Sequence, residues 1–273
     1  MHRPVVLCDL DGVVWRGADP IPGAAAALTE LTATGCDVWF VTNNSNRPVG
    51  HYEQRLADLG VAAEGRVATS ALAAAALVDG STLTLVCAGP GVIEALDANR
   101  RPWTGAEVHP DDVTGPIGDV IVGLHHEFDY RRLHHAAEAV RRGARLIGTN
   151  TDATFPTPRG EEPGGGSLLA AVSTAAGVRA VIAGKPEAPM GDLVRSMVGH
   201  TLDPRRSVMI GDRASTDGAF ADRLGIPFAY ISAGVIGDRP HRRPAITAAA
   251  LPEMFPDLVA LVSGDRRGPG GAP

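Results

Sequence analysis

The sequence predicts an α/β protein, a Rossmann-like doubly wound parallel sheet into which a second α/β unit is inserted. Short runs rich in Val and Ile alternate with longer helical stretches, which is the order of parallel strands joined by crossover helices. Several of these runs are apolar throughout, as is typical of strands buried on both faces.

Four of the apolar runs end abruptly at reactive side chains. The runs VVLC, VWFV, AVIAG and SVMIG stop at Asp9, Thr42, Lys185 and Asp212. Helical stretches intervene, for example at 23–35 and 216–225. Because ligands bind at the carboxyl ends of strands in open α/β sheets, we expect these four strands to belong to one sheet and their end residues to share one pocket.

The middle of the chain repeats the α/β pattern. LTLVCAG, DVIVGL and ARLIGTN predict strands, and helices are expected near 91–99, 129–142 and 167–176. This segment lies between the second and third reactive strand ends, so we interpret it as an insertion.

The predicted domains follow from that insertion. Residues 1–75 plus 183–263 form the core, and 76–182 form the inserted cap. The tail 264–273 lacks apolar residues to bury, which predicts disorder.

Composition excludes several classes of protein. The 273 residues are 44% hydrophobic, which supplies a substantial core. The net charge of -6, without a basic stripe, argues against a nucleic-acid partner. Three cysteines without CxxC spacing argue against a disulfide framework or a zinc site and favour a cytoplasmic location. No export signal and no membrane span are expected, because no run of about 18 apolar residues occurs.

The DLDG stretch pairs Asp9 with Asp11 and lets the backbone turn at Gly12. Two carboxylates can hold a hard divalent cation, or one can act as a nucleophile while the other transfers protons, and both readings can hold together. A turn or capping role is the alternative.

Two further stretches suit a phosphate ester bound to a metal ion. TNNS, beginning at Thr42, offers donors for phosphate oxygens, although the same residue types also cap helices. GDRASTD supplies Asp212, which with Asp9 would hold Mg²⁺, and Asp217, which would otherwise cap the next helix. Together these pieces favour phosphoryl transfer.

Lys185 is the only lysine in the chain, since every other one of the 25 basic residues is Arg. An ammonium is a compact point charge, whereas guanidinium is a broad planar fork. Lys185 is therefore expected where an Arg would not fit, unless it is a chance survivor on the surface.

The four motifs DLDGVVWRG, TNNS, GKP and GDRASTD resemble, in that order, those of the haloacid dehalogenase superfamily of phosphohydrolases. The position of the insertion, and the stretch at 149–172, resemble the subclass with a large α/β cap (class IIA). That subclass includes p-nitrophenyl, phosphoglycolate, glycerol-phosphate and pyridoxal-phosphate phosphatases and NagD-type nucleotidases. The resemblance covers about residues 4–236.

The resemblance implies a role for each matched residue. Asp9 would be the nucleophile that forms an aspartyl-phosphate, and Asp11 would protonate the leaving alkoxide and then activate water. Mg²⁺ would be held by three groups, which are Asp9, the backbone carbonyl of Asp11, and Asp212. Asp217 would orient metal-bound water. The phosphoryl group would be held by Thr42 and the Asn43 amide, and Lys185 would bridge the nucleophile and the phosphate.

In this reading the cap selects a small phosphorylated metabolite and mediates a homodimer. His125 and His126 lie where the family usually has an acid, so they are candidates for substrate selection. The alternative is that they are exposed loop histidines without a function. His134 and His135 are expected on a solvated helix face.

Other functions compete with a phosphatase. A phospho-acceptor signalling module also combines Asp, Thr, Lys and a metal, but it needs neither Asp11 nor a cap. A phosphate-binding protein without catalysis, a phosphomutase and a dehalogenase are further alternatives.

We expect Lys185→Arg to lose most of the phosphate release from p-nitrophenyl phosphate at saturating Mg²⁺, because the wider fork would crowd the phosphoryl site while keeping the charge. Initial rates of the variant and the parent protein measure the effect. Near-full turnover would show that the lysine is only a remnant of composition.

Overall fold

The structure is a computed structural model that describes residues 2–157, 160–233 and 238–263, and the tail predicted to be disordered lies outside them. The strands are β1 (Val5–Cys8), β2 (Trp15–Arg16), β3 (Asp19–Pro20), β4 (Asp37–Thr42), β5 (Val67–Thr69), β6 (Leu83–Cys87), β7 (Trp103–Gly105), β8 (Ile117–Val122), β9 (Arg145–Gly148), β10 (Thr154–Thr157), β11 (Gly160–Pro163), β12 (Val181–Ile182), β13 (Ser207–Gly211), β14 (Phe228–Ile231) and β15 (Ile246–Ala248).

The helices alternate with these strands along most of the chain. They are α1 (Ala24–Ala33), α2 (Val49–Asp58), α3 (Ser70–Ala76), α4 (Pro90–Ala98), α5 (Tyr130–Arg141), α6 (Gly165–Ala176), α7 (Ala188–Val198), α8 (Ala219–Leu224) and α9 (Leu251–Ser263). A 3₁₀ turn (Pro110–Asp112) and a π-helical turn (Ala214–Gly218) complete the set. The alternation confirms the predicted α/β class.

The chain divides into two compact units. The first comprises Met1–Val41, Arg55–Arg66 and Val198–Pro273, and the second comprises Thr42–Gln54 and Val67–Met197. These bounds differ from the predicted domains, because 42–54, 67–75 and 183–197, all expected in the core, group with the second unit. The division into a catalytic core and a cap stays a prediction.

The first unit contains parallel strands in the order β15, β14, β13, β1, β4. β1 runs between β13 and β4, with Leu7 opposite Met209 on one side and Trp39 on the other. All four residues of β1 are buried, as its uninterrupted apolar run predicts. The carboxyl ends of β1 and β13 are therefore direct neighbours.

The second unit has its own parallel sheet, in the order β12, β9, β8, β6, β7. β12 pairs with β9, with Val181 opposite Ile147. The expectation that all four reactive strands share one sheet is thus wrong for the strand before Lys185. β12 is only two residues long, and the apolar run that predicted it does not reveal its pairing partner.

Helices α5 and α6 pack against the second sheet around a core that includes Val120, Ala136, Leu146 and Val172. His135 on α5 is buried, and its Nδ1 lies 2.9 Å from the Ala106 carbonyl oxygen. The expectation of a solvated face is therefore wrong for His135, although it holds for the exposed His134.

The thiols of all three cysteines, Cys8, Cys36 and Cys87, are buried. Burial raises the pKa of Cys87 to about 12, so its thiol stays protonated and unreactive at neutral pH. Among the described residues, no helix has the length and apolar character needed to cross a bilayer.

Candidate active site

Asp9 and Asp212 directly follow the neighbouring strands β1 and β13 of the first unit. Because Cys8 lies opposite Ile210, the two acids leave the sheet side by side, and the Asp9 N–H donates to the Ile210 carbonyl at 2.9 Å. Both side chains are buried, at 7% and 5% exposure. The parallel pairing thus places two carboxylates in one buried position.

Asp217 joins this pair from the π-helical turn that follows β13. It is fully buried, and its Oδ2 accepts the Arg213 N–H at 3.1 Å. One carboxylate oxygen from each of Asp9, Asp212 and Asp217 lies within 4.8 Å of the others. Three ionised carboxylates this close repel one another, and a hard divalent cation that takes oxygen ligands would neutralise them.

Glycine is required where the backbone passes this cluster. Gly12 has a φ of +87°, and a Cβ there would lie 2.0 Å from the Asp212 Oδ2. Likewise, a Cβ on Gly211 would lie 2.2 Å from the Asp217 Oδ2. The carboxylates therefore occupy space that any larger residue at these two positions would fill.

Asp11 is oriented by a neighbouring tryptophan. The Trp15 Nε1–H donates to the Asp11 Oδ1 at 3.0 Å, and the Trp15 ring is itself buried beneath the Arg55 guanidinium, whose carbon lies 4.0 Å from the ring centroid. Sequence reasoning missed Trp15 as a positioning residue, although its spacing four residues after Asp11 was visible.

In the second unit, Asn43 holds the backbone of Lys185. The Asn43 Oδ1 accepts the Lys185 N–H at 2.7 Å, and its Nδ2 donates to the Lys185 carbonyl at 3.1 Å. The Asn43 carbonyl in turn accepts the Asn150 amide at 2.8 Å. The Lys185 residue is only 2% exposed, so the alternative that it is a chance survivor on the surface is wrong. No local sequence pattern could indicate this pairing, because 142 residues separate Asn43 from Lys185.

Thr42 is buried, and its Oγ1 accepts the Asn44 N–H at 3.0 Å. This bond closes a turn within the TNNS stretch, since the next helix, α2, begins only at Val49. The helix-cap alternative for Thr42 is therefore wrong.

The neighbouring histidines His125 and His126 of the second unit differ in their exposure to solvent. His126 is exposed, whereas His125 is 5% exposed, with its Nδ1 3.1 Å from the Gly123 carbonyl. Burial lowers the pKa of His125, so its ring is neutral at neutral pH. The description as an exposed loop histidine is wrong for His125. Its Nε2 has no hydrogen-bond partner within the described part of the chain.

We expect Gly12→Ala to weaken Mg²⁺ binding by at least about tenfold, because the new Cβ displaces the Asp212 carboxylate. Gly35→Ala is the matched control, since Gly35 has a φ of +91° and no described atom within 4 Å of its Cβ position. Both variants should lose about 1–2 kcal/mol of stability from backbone strain. Calorimetric titration and urea unfolding measure the two effects, and equal Mg²⁺ affinities would contradict the expectation.

Two family models match the chain. One, described as haloacid dehalogenase-like hydrolase, matches residues 6–100, and the other, of haloacid dehalogenase hydrolase-like proteins, matches residues 182–258. A glycerol-3-phosphate phosphatase from Gallus gallus is 36% identical over 253 residues, which cover 84% of this chain and 80% of that protein.

Solved structures agree with this relationship. A hypothetical protein from Pyrococcus horikoshii OT3 superposes with a TM-score of 0.82 at 30% identity, covering 93% of this chain and 99% of that one. The glycerol phosphate phosphatase from Mycobacterium tuberculosis in complex with magnesium gives a TM-score of 0.81 at 28% identity, covering 95% of this chain and 78% of that one. The chain therefore belongs to the haloacid dehalogenase-like hydrolases, as one of their class IIA phosphatases of small phosphate monoesters.

Proposed function

We propose that the protein is a Mg²⁺-dependent phosphatase that transfers the phosphoryl group of a glycerol phosphate-type monoester first to Asp9 and then to water. The buried cluster of Asp9, Asp212 and Asp217 beside Gly12 carries this proposal. The family membership argues against the signalling module, which belongs to a different class of protein.

The donor set fits magnesium. All the side-chain ligands are carboxylate oxygens, which Mg²⁺ prefers, and the backbone at Gly12 leaves room for them. We assign Asp9, Asp212 and the backbone carbonyl of Asp11 as ligands, with Asp217 in the outer shell. When bound, the ion would neutralise charge that develops on the transferred phosphoryl group. The magnesium complex of the Mycobacterium tuberculosis phosphatase supports the choice of metal.

Asp9 and Asp11 divide the covalent work. A carboxylate oxygen of Asp9 attacks phosphorus, the bond to the ester oxygen breaks, and Asp11 donates its proton to the departing alkoxide. Asp11, now ionised, accepts a proton from water as that water attacks the aspartyl-phosphate. Phosphate leaves, and the Asp9 carboxylate is restored. Trp15 would keep Asp11 oriented for both proton transfers.

Thr42, the backbone amide of Asn43, and Lys185 are assigned to the phosphoryl oxygens. The order of the motifs supports this assignment, as does the burial of both Thr42 and Lys185. The side chain of Asn43 forms hydrogen bonds with both the N–H and the carbonyl of Lys185. The backbone from which the Lys185 ammonium extends is therefore held in place.

The substrate class rests on the relatives, which are named as glycerol phosphate phosphatases. His125 and His126 are proposed to select the substrate. His125 Nδ1 must donate to the Gly123 carbonyl, so the neutral Nε2 is an acceptor and suits a substrate hydroxyl better than an anion. A homodimer through the cap and a cytoplasmic location stay predictions.

We expect Asp9→Asn to abolish phosphate release from every substrate, because an amide cannot accept the phosphoryl group. EDTA should abolish the parent activity, and Mg²⁺ should restore it. The measurement is kcat/KM on p-nitrophenyl phosphate, glycerol phosphates, phosphoglycolate, sugar phosphates, nucleotides and pyridoxal phosphate, with glycerol phosphate expected to be best. Robust turnover by Asp9→Asn would refute the mechanism, and a different best ester would refute only the substrate class.

Asp11→Asn should slow the hydrolysis of alkyl phosphates by about 100-fold or more, while esters with good leaving groups lose much less. The physical reason is that only a poor leaving group needs a proton as its bond to phosphorus breaks. Comparing kcat on glycerol phosphate and on p-nitrophenyl phosphate tests this difference. Equal losses on both substrates would count against Asp11 as the acid.

A further inference from the structure

Three potential metal ligands meet in the second unit, outside the motifs of the phosphatase. His109 immediately precedes the 3₁₀ turn, and His134 and Glu138 lie four residues apart on α5. This spacing puts both α5 side chains on one helix face. One ligand atom from each of the three residues lies within 4.8 Å of the others.

The distances between these atoms match the edges of a small coordination tetrahedron. The Glu138 Oε2 lies 3.3 Å from the His109 Nε2 and 3.4 Å from the His134 Nε2. Bonds of about 2.0–2.1 Å from a tetrahedral Zn²⁺ to nitrogen or oxygen imply edges of about 3.3–3.4 Å between ligand atoms. Two of the three separations therefore match those between ligands of one ion, and the third, between the two imidazoles, falls within 4.8 Å.

The carboxylate is held so that one oxygen faces the imidazoles. Arg142 binds the Glu138 Oε1 at 2.5 Å and the Asp111 Oδ1 at 2.6 Å. The Glu138 Oε2 is buried and accepts no hydrogen bond from the residues that the structure describes. Its contacts with the two imidazoles are ion pairs only when those rings are protonated, so beside neutral rings a cation would supply the partner that this oxygen lacks among the described residues.

Ion access and charge also suit a cation. The side chains of His109, His134 and Glu138 are 32%, 50% and 20% exposed, so an ion can reach them from solvent. With neutral imidazoles, the two carboxylates of Glu138 and Asp111 and the one guanidinium of Arg142 leave a net charge of −1 around the cluster, from two negative charges and one positive.

We propose that His109, His134 and Glu138 form a second metal site, which binds one borderline divalent ion of the Zn²⁺ class. Two imidazoles and one carboxylate favour Zn²⁺, Co²⁺ or Ni²⁺ over Mg²⁺, which takes oxygen ligands. The ion would tie the 3₁₀ turn to α5. The cysteine argument against a zinc site does not apply, because this site uses no thiolate.

Metal binding would change the tautomer of His109. Its Nδ1 accepts the Asp111 N–H at 3.1 Å, which puts the ring proton on Nε2. A metal on Nε2 moves that proton to Nδ1, which breaks the bond from the Asp111 N–H and turns Nδ1 into a donor 3.6 Å from the Asp111 Oδ2. Asp111 would then act as the carboxylate that orients a metal-bound histidine.

The test uses the full chain, stripped of metal by a chelator and then dialysed into excess Mg²⁺, which keeps the Asp9 cluster filled. Co²⁺ is titrated while its visible absorption is followed, because tetrahedral Co²⁺ absorbs far more strongly than octahedral Co²⁺. We expect one strongly absorbing Co²⁺ per chain, displaced by one equivalent of Zn²⁺. Zn²⁺ should also raise the thermal unfolding midpoint of the protein.

Variants identify the ligands. His134→Ala and Glu138→Gln should weaken Co²⁺ binding by more than about 100-fold, as should His109→Asn, which keeps a side-chain acceptor for the Asp111 N–H. Asp111→Asn should weaken it by about tenfold. His51→Ala, an exposed histidine of the same unit, is the matched control and should bind as the parent does.

Thermal unfolding without Co²⁺ or Zn²⁺ shows whether each variant is folded. If a histidine variant unfolds, the conclusion rests on Glu138→Gln, which keeps an acceptor for Arg142. The proposal is overturned if Co²⁺ shows no strong absorption, if Mg²⁺ displaces it, or if folded ligand variants bind as tightly as His51→Ala. Phosphate release is not measured, so the outcome is independent of the proposed phosphatase mechanism.

Discussion

The close burial of three carboxylates in the first unit is the constraint on which the proposed chemistry depends. Parallel pairing of β1 with β13 places Asp9 beside Asp212, and the π-helical turn brings Asp217 to the same place. Such a cluster is costly without a cation, so the local structure is organised to accept one. The glycine at position 12 follows from this, because a side chain there would occupy the space of a carboxylate.

In each unit, a neighbouring side chain fixes one of the residues that we propose to take part in the reaction. Trp15 orients Asp11 in the first unit, and Asn43 fixes the Lys185 backbone in the second. Catalysis of phosphoryl transfer relies mainly on charged groups held in fixed positions. Hydrogen bonds from neighbouring side chains keep such groups in the orientation that the reaction needs. If the proposed roles are right, Trp15 and Asn43 are positioning residues for Asp11 and Lys185, respectively.

The two clusters that we propose to bind metal ions differ in the chemistry of their donors. The one containing Asp9 is buried and offers only carboxylate oxygens, which suits a hard ion that the reaction needs. The cluster of His109, His134 and Glu138 is partly exposed and combines imidazole with carboxylate, which suits a softer ion. The second cluster would link a turn to a helix, so its expected contribution is to local stability and not to the transfer of phosphate.

The sequence by itself determined the α/β class, the reactive ends of the strands and the resemblance to a phosphatase family, because strand periodicity and the residue types at strand ends are local properties. Only the tertiary structure decided that β12 pairs in the second sheet, that His125 and His135 are buried, and that Asn43 holds Lys185. Each of these depends on contacts between residues far apart in the chain. Hydrophobic patterning reports which residues are buried along one element, but it does not report which element lies opposite.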